Sequence, residues 1–87
     1  MPPNEKKDQT RERILDSAEV LFAQKGYQAV SIREITSAAH CNLAAVNYHF
    51  RNKENLYQEV FRSRWVPRAR NILASFRKLV GAHESLS

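Results

Sequence analysis

The side chains best suited to bind another molecule lie between Ser31 and Lys53. Asparagine, histidine, tyrosine and threonine can hydrogen-bond phosphates or base edges, arginine and lysine attract phosphate by charge, and small residues let a helix approach closely. This chemistry favours contact with double-stranded DNA. The predicted DNA-binding residues are Arg33, Thr36, Asn42, Leu43, Ala44, Ala45, Asn47, Tyr48, His49 and Lys53.

Two short helices must position these side chains. Ser31 and Glu34 have the spacing of a capping box and predict the start of a helix whose apolar face holds Ile32, Ile35 and Ala38/Ala39. Asn42 predicts the N-cap of a second helix, from Leu43 to about His49, anchored by Val46 and Phe50. Residues 31–50 therefore predict a helix–turn–helix, whose second helix enters a major groove.

Two stretches, ILDSAEVLFAQKGYQAVSIREI and NLAAVNYHFRNKENLYQEVF, resemble the N-terminal DNA-binding domain of the TetR/AcrR-type bacterial transcriptional regulators. The resemblance covers residues 8–68. It implies an all-α fold, a three-helix homeodomain-like helix–turn–helix bundle followed by a fourth helix and the start of a fifth. It also implies that Tyr48, His49 and Lys53 match residues with which the family contacts the DNA backbone.

Two positions depart from the family pattern. His40 stands where the family often has a turn glycine, so the turn either differs or places a histidine at positive φ, which histidine tolerates better than most residues. Asn47 stands where tyrosine is frequent, and its amide is able to bind adenine with two hydrogen bonds. The kind of contact made at position 47 is therefore open.

The flanking segments predict helices and a flexible end. Residues 1–7 lack apolar periodicity and predict a flexible basic arm, which either follows the DNA or is simply solvated. A first helix is expected from about Gln9 to Lys25, ended by Gly26, with a buried stripe of Ile14, Leu15, Ala18, Leu21 and Phe22. Asn52 predicts the N-cap of the fourth helix, and Pro67 predicts a stop or kink of that helix near Trp65. A fifth helix in 69–87, ended by Gly81, has an apolar stripe expected to be partly exposed: Ala69, Ile72, Leu73, Phe76, Leu79 and Val80.

Length and charge limit the organisation of the chain. Its 87 residues make one small domain, so the effector-binding and dimerisation domain that the resemblance implies is expected to be absent. We therefore expect a monomer or weak dimer here, a homodimer in a full-length form, and a small-molecule effector only if a C-terminal domain exists.

The net charge is +5, with the excess of positive charge between residues 51 and 80, which favours an anionic partner. One cysteine and no apolar run long enough for a signal or membrane span predict a soluble cytoplasmic protein, and the leading hypothesis below includes no membrane partner.

Several residues also fit structural roles. Arg33 and Thr36 fit ordinary solvent exposure, Tyr48 fits core packing, His49 fits helix capping, and Leu43 fits a contact within the motif. His40, Cys41 and His49 match no usual zinc spacing, so we expect no metal and no cofactor, and we interpret Cys41 as a buried structural thiol. No catalytic motif is apparent, so we expect no enzyme and assign no catalytic residue.

Two hypotheses follow. The first is sequence-specific binding of double-stranded DNA, as the DNA-binding domain of a TetR-like regulator, most simply a repressor that recognises an inverted-repeat operator. The alternative is a protein- or membrane-surface-interaction module that uses the basic fourth and fifth helices, through Arg62, Arg64, Arg68 and Arg70.

Overall fold

The described part of the protein is helical throughout its regular elements. A computed structural model describes the backbone of residues 3–86 and the side chains of residues 8–81. No strand occurs within that range, which confirms the all-α prediction. The helices are α1 (Pro3–Lys25), α2 (Ile32–Ala39), α3 (Leu43–Phe50), α4 (Lys53–Val60) and α5 (Val66–Leu86), with a π-helical turn (Phe61–Trp65) between α4 and α5.

The core lies where α1 packs against α2, α3 and α4. The predicted stripe of α1 supplies the largest share, although Leu21 is only partly buried. On α2 the buried small residue is Ala39, whereas Ala38 is exposed. The core residues, each at most 5% exposed, are Ile14, Leu15, Ala18, Phe22, Val30, Ile35, Ala39, Val46, Phe50, Leu56 and Val60.

Side-chain caps begin the three short helices as predicted. The Ser31 hydroxyl accepts a hydrogen bond from the Glu34 backbone N–H at 3.1 Å, and the Glu34 carboxylate accepts one from the Ser31 N–H at 3.3 Å. Asn42 Oδ1 accepts from the Ala45 N–H at 3.0 Å, and Asn52 caps α4 in the same way. Because these helices have only eight residues each, the caps satisfy a large fraction of their exposed backbone donors.

The turn between α2 and α3 is built around a left-handed histidine. His40 has φ 55° and ψ 49°, so the alternative of a non-glycine residue at positive φ is the one that the chain adopts. Its backbone N–H donates to the Ser37 carbonyl. Gly26 ends α1 with φ 85°, as predicted.

We expect His40→Gly to raise the free energy of unfolding by about 0.5–1 kcal/mol, because glycine adopts the left-handed region without the steric penalty of a Cβ atom. A thermal melt followed by circular dichroism should show a midpoint raised by roughly 2–8 °C. Ser37→Gly is the matched control, since Ser37 lies inside α2 and glycine there should lower stability. A lower midpoint for His40→Gly would contradict the expectation.

Helix α1 begins earlier than the sequence predicted. Its first residue is Pro3 rather than a residue near Gln9, so the backbone of residues 3–7 is helical where a flexible arm was expected. Proline is favoured at a first helical position, and the glutamate and lysines that follow have good helix propensity. Met1 and Pro2 lie outside the described residues, as do the side chains of residues 3–7, so contact of this arm with DNA stays a prediction.

The prediction near Trp65 was a stop or a kink of the helix, and the structure has no stop there. The chain passes from α4 to α5 along a helical path that is interrupted only by the π-helical turn. In the π-helical turn the Val66 N–H donates to the Phe61 carbonyl, five residues back. This wider turn gives the ring of Pro67 room beside the carbonyl four residues before it. Gly81 does not end α5 either: it lacks a positive φ, and the helix continues to Leu86.

Helix α5 extends away from the core, and its apolar stripe is exposed, as expected. Arg68 on α5 forms an ion pair with Glu19 on α1, with an N–O distance of 3.5 Å. Along the described chain, no helix is both long and apolar enough to cross a bilayer. The exposed large residues of the stripe are Ile72, Leu73, Phe76, Leu79 and Val80.

Candidate nucleic-acid interface

Helix α3 presents one face to the core and the opposite face to solvent. Val46 and Phe50 are buried one turn apart. Ala44, Asn47 and Tyr48 lie at i, i+3 and i+4 on the outer face and are exposed, as the prediction for a recognition helix requires. Tyr48 is 66% exposed, which excludes core packing for its ring.

Three other predicted residues of this segment occupy the margins of the outer face. Leu43, at the first position of α3, is 56% exposed rather than packed inside the motif. Ala45 and His49 lie one turn apart at the border with the core and are only partly exposed. Their contacts with DNA stay predictions, and the same border position leaves Ala45 packed against the core residues.

The N-cap of α3 also fits an interface. The side-chain oxygen of Asn42 is used by the cap, so its NH₂ group is the end of the amide that can donate to a phosphate.

On α2, Arg33 is exposed and Thr36 is partly buried. The Thr36 hydroxyl donates to the Arg33 carbonyl at 3.0 Å, so donation to a phosphate requires the hydroxyl to rotate away from that bond.

Lys53 lies at the first position of α4, where the positive end of the helix dipole adds to its own charge. Its side chain is not fully extended into solvent. The ammonium Nζ lies 4.2 Å from the centre of the Tyr27 ring, within the distance of a cation–π contact. The predicted phosphate lysine therefore rests on an aromatic ring from the connector between α1 and α2.

Two arginines of α1 hold the helix–turn–helix in place. Arg13 Nε donates to the Ala39 carbonyl at 3.0 Å, which satisfies a backbone acceptor at the end of α2. Arg11 lies 5.3 Å above the centre of the Phe50 ring and bonds the Glu59 carboxylate at 3.0 Å. These contacts fix the C-terminal ends of α2 and α3 against α1.

Three of the arginines that follow α3 are paired with carboxylates, namely Arg62, Arg64 and Arg68. Arg62 bonds Glu59, and this hydrogen bond lowers the pKa of Glu59 against the opposing effect of burial. A hydrogen bond to Asp16 raises the pKa of Arg64, which is therefore charged at any ordinary pH. Because Arg68 is also paired, this surface attracts an acidic partner less than its sequence indicates. The carboxylates around Arg64 are Glu12 at 2.6 Å, Asp16 at 2.8 Å and Glu19 at 3.5 Å.

The pKa values of two more groups are shifted, one near the connector between α1 and α2 and one near the turn between α2 and α3. A hydrogen bond from Lys25 lowers the pKa of Glu34, which keeps the capping carboxylate ionised. Burial raises the pKa of the Cys41 thiol, which is partly buried against the core. The thiol form therefore dominates near neutral pH, as befits a structural cysteine. Among the described residues, no cluster of three histidine, cysteine or acidic side chains is arranged to hold a metal ion.

Sequence reasoning missed three residues that the structure places at this site. Tyr27 and Arg13 act through contacts with Lys53 and Ala39 that are distant in sequence, so no local pattern marks them. Arg51 is exposed, directly follows α3 and has φ 76°, a value rare for a non-glycine residue. A basic residue between the recognition helix and Lys53 was the signal that could have identified it.

Comparison with known proteins identifies the family to which this chain belongs. The sequence model of the tetR family of bacterial regulatory proteins matches residues 14–60, more than half of the chain. That range runs from the buried stripe of α1 through the helix–turn–helix to the last residue of α4. This chain belongs to the tetR family. It is a DNA-binding domain of a TetR-family transcriptional regulator and not an enzyme.

Several transcriptional regulators are similar to part of this TetR-family chain. The HTH-type transcriptional regulator AcrR of Shigella flexneri is 40% identical over 53 residues, which cover 61% of this chain and 25% of AcrR. The probable HTH-type transcriptional regulator YttP of Bacillus subtilis is 39% identical over 51 residues, 59% of this chain and 25% of YttP. The negative regulator IcaR of the Staphylococcus epidermidis biofilm operon icaADBC is 33% identical over 49 residues, 56% of this chain and 26% of IcaR. The matched TetR-family segment is therefore about a quarter of each relative's length.

Proposed function

We propose that this domain binds double-stranded DNA sequence-specifically through the outer face of α3, with Arg33, Asn42 and Lys53 on the flanking phosphates. The observation that carries the proposal is the division of α3 into two faces. Val46 and Phe50 fix the helix in the core, and Ala44, Asn47 and Tyr48 stand exposed on the other side. A helix anchored in this way can enter a major groove as a rigid unit.

We further propose that the domain represses transcription in the cytoplasm from an inverted-repeat operator, with each copy reading one half-site. The name of IcaR describes a negative regulator, which supports repression. A full-length form would be a homodimer, whereas this chain alone would be a monomer or weak dimer. Its operator affinity would be lower, because the two copies that bind the two half-sites would not be linked to each other. A small-molecule effector belongs to the proposal only where a C-terminal domain exists.

Selection from a random duplex library tests sequence specificity. The selected duplex is then compared with a shuffled duplex of equal composition by fluorescence anisotropy at two salt concentrations. We expect tighter binding to the selected duplex, and weaker binding to both at higher salt, because phosphate contacts release counterions. Equal affinity for the two duplexes at both salt concentrations would contradict sequence-specific binding.

Lys53→Ala should weaken binding to any duplex about five- to tenfold at 0.1 M salt and lower the slope of log affinity against log salt by about one. The reason is the loss of one phosphate contact, which carries no sequence information. Lys78→Ala is the matched control, since Lys78 is an exposed lysine on α5. An unchanged slope for Lys53→Ala, or an equal change for both variants, would remove Lys53 from the interface.

A further inference from the structure

The contact between Lys53 and Tyr27 joins residues that are far apart in the sequence. The ammonium Nζ lies 4.2 Å from the ring centre, and the lysine is only partly exposed. A lysine side chain has four carbons joined by rotatable bonds. It loses considerable rotamer entropy when binding fixes it in one conformation. A lysine already held over a ring has lost part of that freedom before the partner arrives.

The ring of Tyr27 is itself fixed. It stacks on Phe22, with 5.9 Å between ring centres and 27° between planes. Tyr57 meets it edge-on at 5.0 Å. Phe22 is buried in the core, and the left-handed Gly26 turns the chain so that Tyr27 follows directly after α1. The ring is therefore a rigid support attached to the core of the domain.

We propose that Tyr27 is a positioning residue for the contact between Lys53 and a DNA phosphate. The aromatic face holds the ammonium beside the N-terminus of α4. An ammonium group has three N–H donors, so it can face the ring and still donate a hydrogen bond to a phosphate. The inference rests on the proposed function, since it needs Lys53 at the interface. The inference adds a reason for the affinity of the Lys53 contact. The connector between α1 and α2 carries none of the predicted DNA contacts, yet its Tyr27 ring positions a lysine of α4.

The first test needs no DNA and no variant that could fail to fold. In the NMR spectrum of the protein, the ε-methylene protons of Lys53 should be shifted upfield by the ring current of Tyr27. Tyr27→Phe should keep the shift, because the ring remains. Random-coil values for these protons in the unmodified protein would overturn the proposal.

The second test is a double-mutant cycle measured by anisotropy with a mixed-sequence duplex at low salt. Tyr27→Leu should weaken binding about threefold, the range expected when an exposed cation–π contact is lost, and Tyr27→Phe should leave binding unchanged. In a Lys53→Ala background, Tyr27→Leu should have no further effect, because its only route to DNA is removed.

Phe61→Leu is the matched control, since Phe61 is a half-exposed aromatic residue that packs on Trp65 and not on Tyr27 or Lys53. Measured well below its melting temperature, Phe61→Leu should leave DNA affinity within a factor of about two. An equal threefold loss from Tyr27→Leu with or without Lys53 would show a general structural effect and overturn the inference. Absence of DNA binding by the unmodified protein would instead overturn the proposed function.

Discussion

We expect Ala44→Glu to lose DNA affinity by on the order of 100-fold or more, because a carboxylate brought against phosphates and base acceptors is opposed by like charge worth several kcal/mol. Ala44 is exposed on the outer face of α3, beside Asn47 and Tyr48. The substitution therefore places the charge at the centre of the proposed interface. Anisotropy titration with the selected duplex measures the loss.

The same substitution should not damage the fold. Ala44 is the second residue of α3 and its side chain is exposed, so a longer side chain meets solvent. A negative charge in the first turn of a helix is favoured by the helix dipole, by about 0.3–1 kcal/mol. The thermal midpoint should therefore be unchanged or slightly raised, which separates a loss of binding from a loss of structure.

Ala74→Glu is the matched control. Ala74 is an exposed alanine within α5, so the variant has the same net charge as Ala44→Glu with the carboxylate on a different helix. We expect less than about a threefold effect on DNA binding, since only long-range charge changes. If Ala74→Glu were the more damaging of the two, DNA would bind at α5 and not at the outer face of α3, and the proposed interface would be wrong.

Phe50→Ala should lower the free energy of unfolding by about 3–5 kcal/mol, the usual loss for a buried phenylalanine. Phe50 is 5% exposed, anchors the end of α3 and lies beneath the Arg11 guanidinium. Its removal leaves a cavity between α1 and the end of α3. In a domain of 87 residues such a loss approaches the whole stability, so urea unfolding should begin without a folded baseline.

Phe76→Ala makes the same chemical change at an exposed position on α5. Phe76 is 61% exposed on α5, so its replacement should change the free energy of unfolding by less than about 0.5 kcal/mol. Urea unfolding of both variants, followed by circular dichroism, gives the comparison. Equal destabilisation by the two substitutions would mean that α5 packs on the core in solution.

The sequence predicted those features that depend on neighbouring residues. The caps at Ser31, Asn42 and Asn52 join groups three residues apart, and the buried stripe of α1 follows from helical periodicity. The same periodicity predicts the exposed face of α3, because Val46 and Phe50 anchor the opposite face in the core. Local geometry decides such features, so a pattern of residues is sufficient to find them.

The sequence did not predict where α1 begins or how the chain passes Pro67. Both depend on whether a weak local signal ends a helix or is overridden by the continuing run of backbone hydrogen bonds. Pro67 predicts a stop or a kink without deciding between them, and a single π-helical turn provides the room that the proline ring needs inside a continuing helix. Gly81 was likewise interpreted as an end, although a glycine ends a helix only where it adopts a left-handed conformation.

By itself the sequence determined an all-helical domain with a helix–turn–helix and an exposed recognition face, because these follow from spacing along a single segment. Tertiary structure alone decided that Lys53 rests on Tyr27, that Arg11 covers Phe50, and that Arg64 meets the carboxylates of α1. These pairs are 26 or more residues apart in sequence, so they exist only once the helices are packed together. The physical reason is that charge and aromatic contacts act over a few ångströms in space, whatever the distance along the chain.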